Sequence, residues 1–113
     1  MRLFTTYERE TIKNTIIEEL KMIDGIIAII LVGSGSVGFT DDISDLDFSI
    51  VMDNCCEVSS IMKRVKDCIC NKWKLLDVQE MQKRGLQVYI LDNFLEIDIG
   101  YMILDKISAT RER

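Results

Sequence analysis

The sequence contains 113 residues, of which 48% are hydrophobic and 29% are charged. This size and composition predict one folded domain, residues 1–113, and exclude a wholly disordered chain. The formal net charge of -5 argues against a basic surface that tracks a DNA or RNA backbone, so nucleic acid is not an expected partner. With no histidine and no Cys-x-x-Cys among the four cysteines, the usual zinc-binding patterns are missing.

The sequence also carries no pattern of export or membrane insertion. Its first ten residues, MRLFTTYERE, become charged before any apolar region forms, unlike a secretory signal. The longest apolar run, Ile26 to Val32, is far shorter than the roughly 20 residues of a membrane-spanning helix. We therefore expect a cytoplasmic protein with reduced thiols and no membrane partner.

The first predicted element is a helix followed by a strand. Thr5 and Glu8 match the capping box Ser/Thr-x-x-Glu. Apolar residues then recur at close to helical spacing, at Ile12, Ile16, Leu20 and Ile23. Asp24-Gly25 is expected to end the helix, because glycine accepts the left-handed conformation that closes many helices. The β-branched run IIAIILV that follows has no polar face, which predicts a central strand covered on both faces.

Residues 33–47 read GSGSVGFTDDISDLD and lead into a second predicted strand, residues 46–52, in which apolar and polar residues begin by alternating. Alternate residues of a strand lie on one face. Asp45 and Asp47 are therefore expected side by side, with their α-carbons roughly 6 to 7 Å apart.

The rest of the chain predicts one more helix and a sheet. Residues 57–72 have the apolar spacing of an amphipathic helix, and residues 73–78 favour a short strand. Residues 86–91 and 94–102 are separated by Asp92-Asn93, which predicts a hairpin with a two-residue turn. The order predicts an α/β (α+β) domain with a mixed sheet of about four to five strands flanked by two or more helices.

Acidic residues at alternate positions in two predicted strands indicate a metal site. Asp45 and Asp47 would repel each other without a cation, and Mg²⁺ prefers oxygen ligands of this kind. Glu96 and Asp98 repeat the pattern, and a third carboxylate would join the first two if the strands are neighbours. Asp-x-Asp alone is also common at solvated strand ends. For Glu96 two interpretations stay open: a metal ligand, or a solvated carboxylate at the rim of the site.

Gly33 and Ser34 directly follow the first strand, where backbone amides can turn toward an anion and a hydroxyl adds a donor. This is not a Walker loop, because no Gly-Lys-Ser/Thr is present. The spacing Gly33-x-Gly35-x-x-Gly38 matches a dinucleotide fingerprint, yet no helical crossover is predicted after it.

Taken together, the pattern Gly-Ser-x(10)-Asp-x-Asp from Gly33 to Asp47, with Gly38 inside it and a later Glu-x-Asp strand, resembles the nucleotidyltransferase fold of the DNA polymerase beta superfamily. The chain is most similar to minimal nucleotidyltransferases and to the catalytic domain of antibiotic nucleotidyltransferases. The resemblance covers roughly residues 12–103.

The resemblance implies an enzyme and a role for each motif residue. Gly33 and Ser34 would hold the triphosphate of ATP or another nucleoside triphosphate. Asp45, Asp47 and Asp98 would ligate two Mg²⁺ ions, and Asp98 would assist deprotonation of the acceptor hydroxyl. A nucleoside monophosphate, AMP being the expected one, would pass to a hydroxyl of a protein or small molecule with release of pyrophosphate.

The chain departs from the resemblance in its phosphate loop. Many minimal members carry arginines where this sequence has Gly35 and Val37. Another basic side chain would have to replace them, with four candidates: Lys72, Lys74, Lys83 and Arg84. For the base, Trp73 and Tyr89 are expected to pack in the core rather than to form a stacking platform.

Three function hypotheses follow. The first is an active adenylyltransferase-like enzyme. Small nucleotidyltransferases of the superfamily that the chain resembles often act with a helical HEPN-type partner as antitoxins. The second is the catalytic half of an aminoglycoside-type antibiotic nucleotidyltransferase, whose polycationic substrate would suit the acidic chain. The third is a catalytically inactive nucleotide-binding module. A minimal enzyme needs a second subunit to finish its pocket, so a homodimer or a hetero-complex is expected.

Overall fold

The computed structural model describes residues 5–31, 46–53 and 57–104. In chain order its elements are α1 (Thr6–Leu20), β1 (Ile26–Leu31), β2 (Leu46–Met52), α2 (Val58–Lys72), β3 (Leu75–Met81), a 3-10 turn (Gln82–Arg84), β4 (Leu86–Leu91) and β5 (Glu96–Ile103). The predicted α+β class is confirmed, since the described residues form two helices and a mixed five-stranded open sheet. No helix in this part of the chain is long and apolar enough to cross a membrane.

The capping box forms as predicted, whereas the end of the helix was predicted wrongly. The Glu8 N–H donates to Thr5 Oγ1 (3.0 Å), and the Thr5 N–H donates to Glu8 Oε1 (2.8 Å). Helix α1 ends at Leu20 rather than at Asp24-Gly25. The cap is Lys21, whose N–H donates to the Ile17 carbonyl at 3.1 Å, so no glycine is needed there. Gly25 instead adopts a φ of +100° in the turn that enters β1.

The strand order is β1-β2-β5-β4-β3, so β1 is an edge strand and the prediction of a central strand was wrong. Among the described strands, β1 pairs with β2 alone, in antiparallel register with Ile29 opposite Ile50. Ile27 and Ile30 are 50% and 48% exposed. A β-branched apolar run favours a strand both at the edge and at the centre of a sheet. The run itself does not reveal whether the strand pairs with one neighbouring strand or with two.

Both helices contribute to one core on one face of the sheet. Their buried residues pack with alternate residues of β2, β4 and β5 in a single cluster that includes Ile16, Leu20, Val65, Ile69, Phe48, Ile50, Tyr89, Ile97 and Ile99. The residues between them in β2 and β5 point away from the helices. We call this second side the outer face. It includes the half-buried residues Asp47, Ser49, Glu96 and Asp98.

The hairpin between β4 and β5 is confirmed, but its loop has three residues, 92–94, instead of two. The Phe94 N–H donates to the Leu91 carbonyl and the Leu91 N–H to the Leu95 carbonyl, each at 2.9 Å. Phe94 has a φ of +70°. A two-residue hairpin of this kind needs a positive φ within the pair 92–93, whereas a three-residue loop places it on the third residue.

A buried polar network lies beneath α2 and centres on Gln87. Its Nε2 donates to the Met62 carbonyl (3.0 Å) and to Glu80 Oε2 (2.8 Å). Its Oε1 accepts from the hydroxyls of Tyr89 (2.7 Å) and Tyr101. Burial raises the pKa of both tyrosines well above the ordinary range. The prediction that Tyr89 is a core residue is thus confirmed.

Candidate functional site

Asp47 and Asp98 lie side by side on the outer face. Strands β2 and β5 are parallel neighbours in which Asp47 is the register partner of Asp98. Adjacent strands run about 4.8 Å apart, and register partners share a face. Both residues are half-buried, and the Oδ1 atom of Asp98 is buried. The predicted proximity of the two acidic strands is therefore confirmed for this pair.

The hydrophobic core fixes this alignment. Leu46, Phe48 and Ile50 are fully buried on the helix side of β2, as are Ile97 and Ile99 in β5. A slip of one residue in either strand would turn these side chains out of the core and turn the carboxylate in. The juxtaposition of the two aspartates is therefore specified by packing on the opposite face of the sheet.

The neighbours of the acidic residues in β4 are apolar. On its other side, Asp98 is the register partner of Val88, and Glu96 is the partner of Ile90. Apolar neighbours reduce the exposure of a carboxylate to water, which makes the repulsion between two negative charges stronger and a bound cation more favourable. Two carboxylates are a ligand set that would fit Mg²⁺, which commonly fills its remaining positions with water and substrate phosphate.

Three of the predicted site residues, Gly33, Ser34 and Asp45, lie outside the described residues. Asp47 and Asp98 are the predicted ligands that remain within them. Among residues 5–31, 46–53 and 57–104 no group of three or more cysteine, aspartate or glutamate side chains is close enough together to hold a metal ion. The triad of Asp45, Asp47 and Asp98 therefore stays a prediction.

Glu96 occupies the first position of β5, on the outer face and two residues before Asp98. It is half-buried rather than fully solvated. It shares the outer face with Asp47 and Asp98 and lies between this pair and the β4–β5 loop. Its role as a ligand remains a prediction.

The four basic candidates for a phosphate contact lie in two regions: Lys72 ends α2 and Lys74 precedes β3, whereas Lys83 and Arg84 lie in the 3-10 turn before β4. Lys72 Nζ pairs with Glu19 Oε2 at 3.3 Å, between the two helices. Lys83 and Arg84 precede Gly85, whose carbonyl accepts from the Tyr101 N–H at 2.9 Å. Tyr101 lies three residues beyond Asp98, roughly 10 Å further along β5.

Lys74 differs from the other three candidates. Its carbonyl accepts from the Asp92 N–H at 3.0 Å, so it adjoins the loop that leads into β5. The same end of the sheet carries Glu96, because Leu75 pairs with Leu91 and Ile90 pairs with Glu96. Lys74 thus lies at the end of the sheet where β5 begins, whereas Lys72, two residues before it, is paired with Glu19.

Phe94 is a residue near this site that the sequence pattern did not single out. The sequence placed it inside a strand after a two-residue turn, whereas it closes the loop with a positive φ and is 53% exposed. The available signal was the absence of glycine after Asp92-Asn93, since such turns favour Asn-Gly or Asp-Gly.

No protein-family model matches this chain, and no curated protein is similar enough to count as a relative.

Proposed function

We propose that the protein is a magnesium-dependent nucleotidyltransferase that moves AMP from ATP onto a hydroxyl of a protein or small molecule and releases pyrophosphate. The observation that carries the proposal is the register of Asp47 with Asp98 on neighbouring parallel strands. The glycine-serine pair and Asp45, at their fixed spacing before Asp47, are the sequence support for it.

The roles of the residues follow from the chemistry of phosphoryl transfer. Gly33 and Ser34 would bind the triphosphate through backbone amides and a hydroxyl. Asp98 would accept the proton of the acceptor hydroxyl, whose oxygen then bonds to the α-phosphorus as the bond to pyrophosphate breaks. Mg²⁺ held by Asp45, Asp47 and Asp98 would supply charge stabilisation for the entering and leaving oxygens.

A basic residue at the same end of the sheet supports phosphate binding. Lys74 is a compact positive charge of the kind that binds phosphate, and it adjoins the loop leading into the strand of Glu96 and Asp98. It is the best supported replacement for the arginines that are missing at Gly35 and Val37.

The second candidate function is a catalytically inactive nucleotide-binding module. It predicts nucleotide binding without transfer, whereas the presence of Asp45, Asp47 and Asp98 in the sequence argues against it. A catalytic half of an antibiotic nucleotidyltransferase would perform the same chemistry on an aminoglycoside-type substrate, so the acceptor distinguishes it from a protein-modifying enzyme.

Binding and transfer can be tested with one set of variants. ATP is titrated by calorimetry with and without Mg²⁺, using the natural chain, Asp47→Asn and Asp98→Asn. Asp67→Asn is the matched control, because Asp67 is an exposed carboxylate on α2 that pairs with Lys63 at 3.7 Å. We expect binding that requires Mg²⁺ and weakens at least about tenfold in both site variants but not in the control. Equal binding by Asp47→Asn would contradict the metal assignment.

Transfer is then followed with α-labelled ATP, using a cell extract and an aminoglycoside as separate sources of acceptor. Label on a protein or on the aminoglycoside that disappears in Asp98→Asn supports the enzyme and identifies the acceptor class. Binding with no label on either acceptor, under Mg²⁺ or Mn²⁺, would favour the inactive module.

A further inference from the structure

The aromatic side chains of the described residues fall into two groups. Phe48 is buried in the core, Tyr89 and Tyr101 donate to Gln87 in the buried network, and Trp73 packs against the core. Tyr7 and Phe94 are exposed, at 79% and 53%. Tyr7 lies in the first turn of α1, whereas Phe94 lies in the loop that leads into the strand of Asp98.

Phe94 has a backbone conformation that its side chain disfavours. Its φ of +70° is in the left-handed region, which glycine and asparagine adopt far more readily than a bulky residue. Glycine would satisfy the turn without this strain, and the exposed ring is not a core residue. Local strain of this kind concentrates at ligand-binding positions, so the ring itself is the feature that needs a role.

The loop that carries Phe94 is held firmly. Besides the two bonds that close the hairpin, the Asp92 N–H donates to the Lys74 carbonyl at 3.0 Å. The Leu95 N–H donates to Asn93 Oδ1 at 3.1 Å. An exposed aromatic ring on a fixed backbone loses little entropy when a ligand packs against it.

The loop is also within reach of the acidic pair. Phe94 precedes Asp98 by four residues, so their α-carbons are at most about 14 Å apart. This is an upper limit, and a nucleotide together with the carboxylate side chain that holds its phosphates can span it. A ligand whose phosphates meet the Asp47–Asp98 pair would thus extend its base as far as the loop.

We propose that Phe94 forms a stacking surface for the base of the nucleotide whose phosphates bind beside Asp47 and Asp98. The inference rests on the proposed function and deepens it by naming the residue that binds the base. Stacking on an aromatic ring uses the face that every nucleobase has. Phe94 would therefore add affinity for nucleoside triphosphates over triphosphate alone, with little preference among bases.

The test compares Mg²⁺-dependent binding of ATP, of GTP and of inorganic triphosphate by the natural chain and by Phe94→Gly, Phe94→Leu and Phe94→Tyr. We expect Phe94→Gly and Phe94→Leu to bind ATP and GTP roughly tenfold more weakly and to bind triphosphate as the natural chain does. Phe94→Tyr should keep full affinity, because it keeps the ring. The Tm of Phe94→Gly should equal or exceed that of the natural chain, because the strain is gone.

Each failure has its own signature. Unchanged ATP affinity in both Phe94→Gly and Phe94→Leu, with Mg²⁺-dependent binding intact, would overturn the stacking proposal alone. A lower Tm for Phe94→Gly combined with unchanged ATP affinity in Phe94→Leu would make the ring a packing or protein-docking residue instead. No Mg²⁺-dependent binding of ATP or triphosphate by the natural chain would overturn the proposed function and this inference with it.

Discussion

Asp47 and Asp98 are direct register partners on adjacent parallel strands, although helix α2 and strands β3 and β4 separate them in the sequence. Parallel neighbours place equivalent ends of two strands together. Two carboxylates that are far apart in the chain therefore meet near the start of their strands, on the face opposite helices α1 and α2. The arrangement concentrates negative charge where a divalent cation is favoured.

Magnesium should stabilise the folded protein through this pair. At a free concentration tenfold above its dissociation constant, a ligand specific to the folded state adds about 1.4 kcal/mol to the free energy of unfolding. We expect the Tm to rise by about 5 °C on adding MgCl₂, as measured by circular dichroism. Asp47→Asn and Asp98→Asn should lose the rise, whereas Asp67→Asn should keep it. NaCl at matched ionic strength is the salt control, and an equal rise in NaCl would contradict specific binding.

The acidic pair shows how far the sequence could predict the site. The alternation around Asp47 and Asp98 correctly assigned both to the face opposite the buried residues, because burial of Leu46, Phe48 and Ile97 leaves no other choice. That the two strands are neighbours depended on the resemblance and on topology. Residue spacing within one strand carries no information about its neighbour.

Other features escaped the sequence for identifiable reasons. An apolar β-branched run such as that of β1 is compatible with a sheet edge and with a sheet centre. Composition alone therefore could not predict its edge position. The network of Gln87 joins residues from α2, β3, β4 and β5. Because these residues are far apart in the sequence, no local pattern predicts the network. The loop at Phe94 lacks the glycine that normally marks a positive φ.

The exposure of one face of β1 predicts a sharp contrast between adjacent residues. Ile29 packs against the core, whereas Ile30 is 48% exposed on the outer face. Ile29→Thr should lower the free energy of unfolding by about 1 to 3 kcal/mol, because it brings a hydroxyl into an apolar environment. Ile30→Thr should change it by no more than about 0.5 kcal/mol. Urea unfolding measures both variants. Equal losses of free energy of unfolding would mean that Ile30 is as buried as Ile29.

The capping box of α1 should contribute measurably to stability. Thr5→Ala removes the acceptor of the Glu8 N–H and should cost about 1 kcal/mol in urea unfolding. Thr15→Ala is the matched control, since Thr15 lies within the helix, where alanine is the better helix former. A loss in Thr15→Ala as large as that in Thr5→Ala would mean that the cap adds nothing.

The buried tyrosines predict a loss of stability at high pH. Burial raises the pKa of Tyr89 and Tyr101 above the ordinary value of 10.0, so the unfolded chain releases these protons first. The stabilisation is fully present below about pH 10 and declines as the pH rises above it. Each tyrosine contributes a slope of up to about 1.4 kcal/mol per pH unit.

Urea unfolding between about pH 9 and pH 11 measures this dependence. Tyr89→Phe should make the decline shallower, and Tyr89→Phe combined with Tyr101→Phe should make it shallower still. An unchanged pH dependence in the double variant would assign the decline to other groups.

The position of Lys74 predicts a specific phosphate contact. It adjoins the loop before β5, whereas Lys83 lies beyond the other end of β4, next to Gly85 and Tyr101. Lys74→Gln should weaken Mg²⁺-dependent binding of ATP and of inorganic triphosphate by about tenfold, the loss expected for one hydrogen bond to a charged group. Lys83→Gln removes the same charge and should leave both affinities unchanged. Equal losses in the two variants would indicate a general effect of net charge, which added salt would screen, and would leave Lys74 without a direct role.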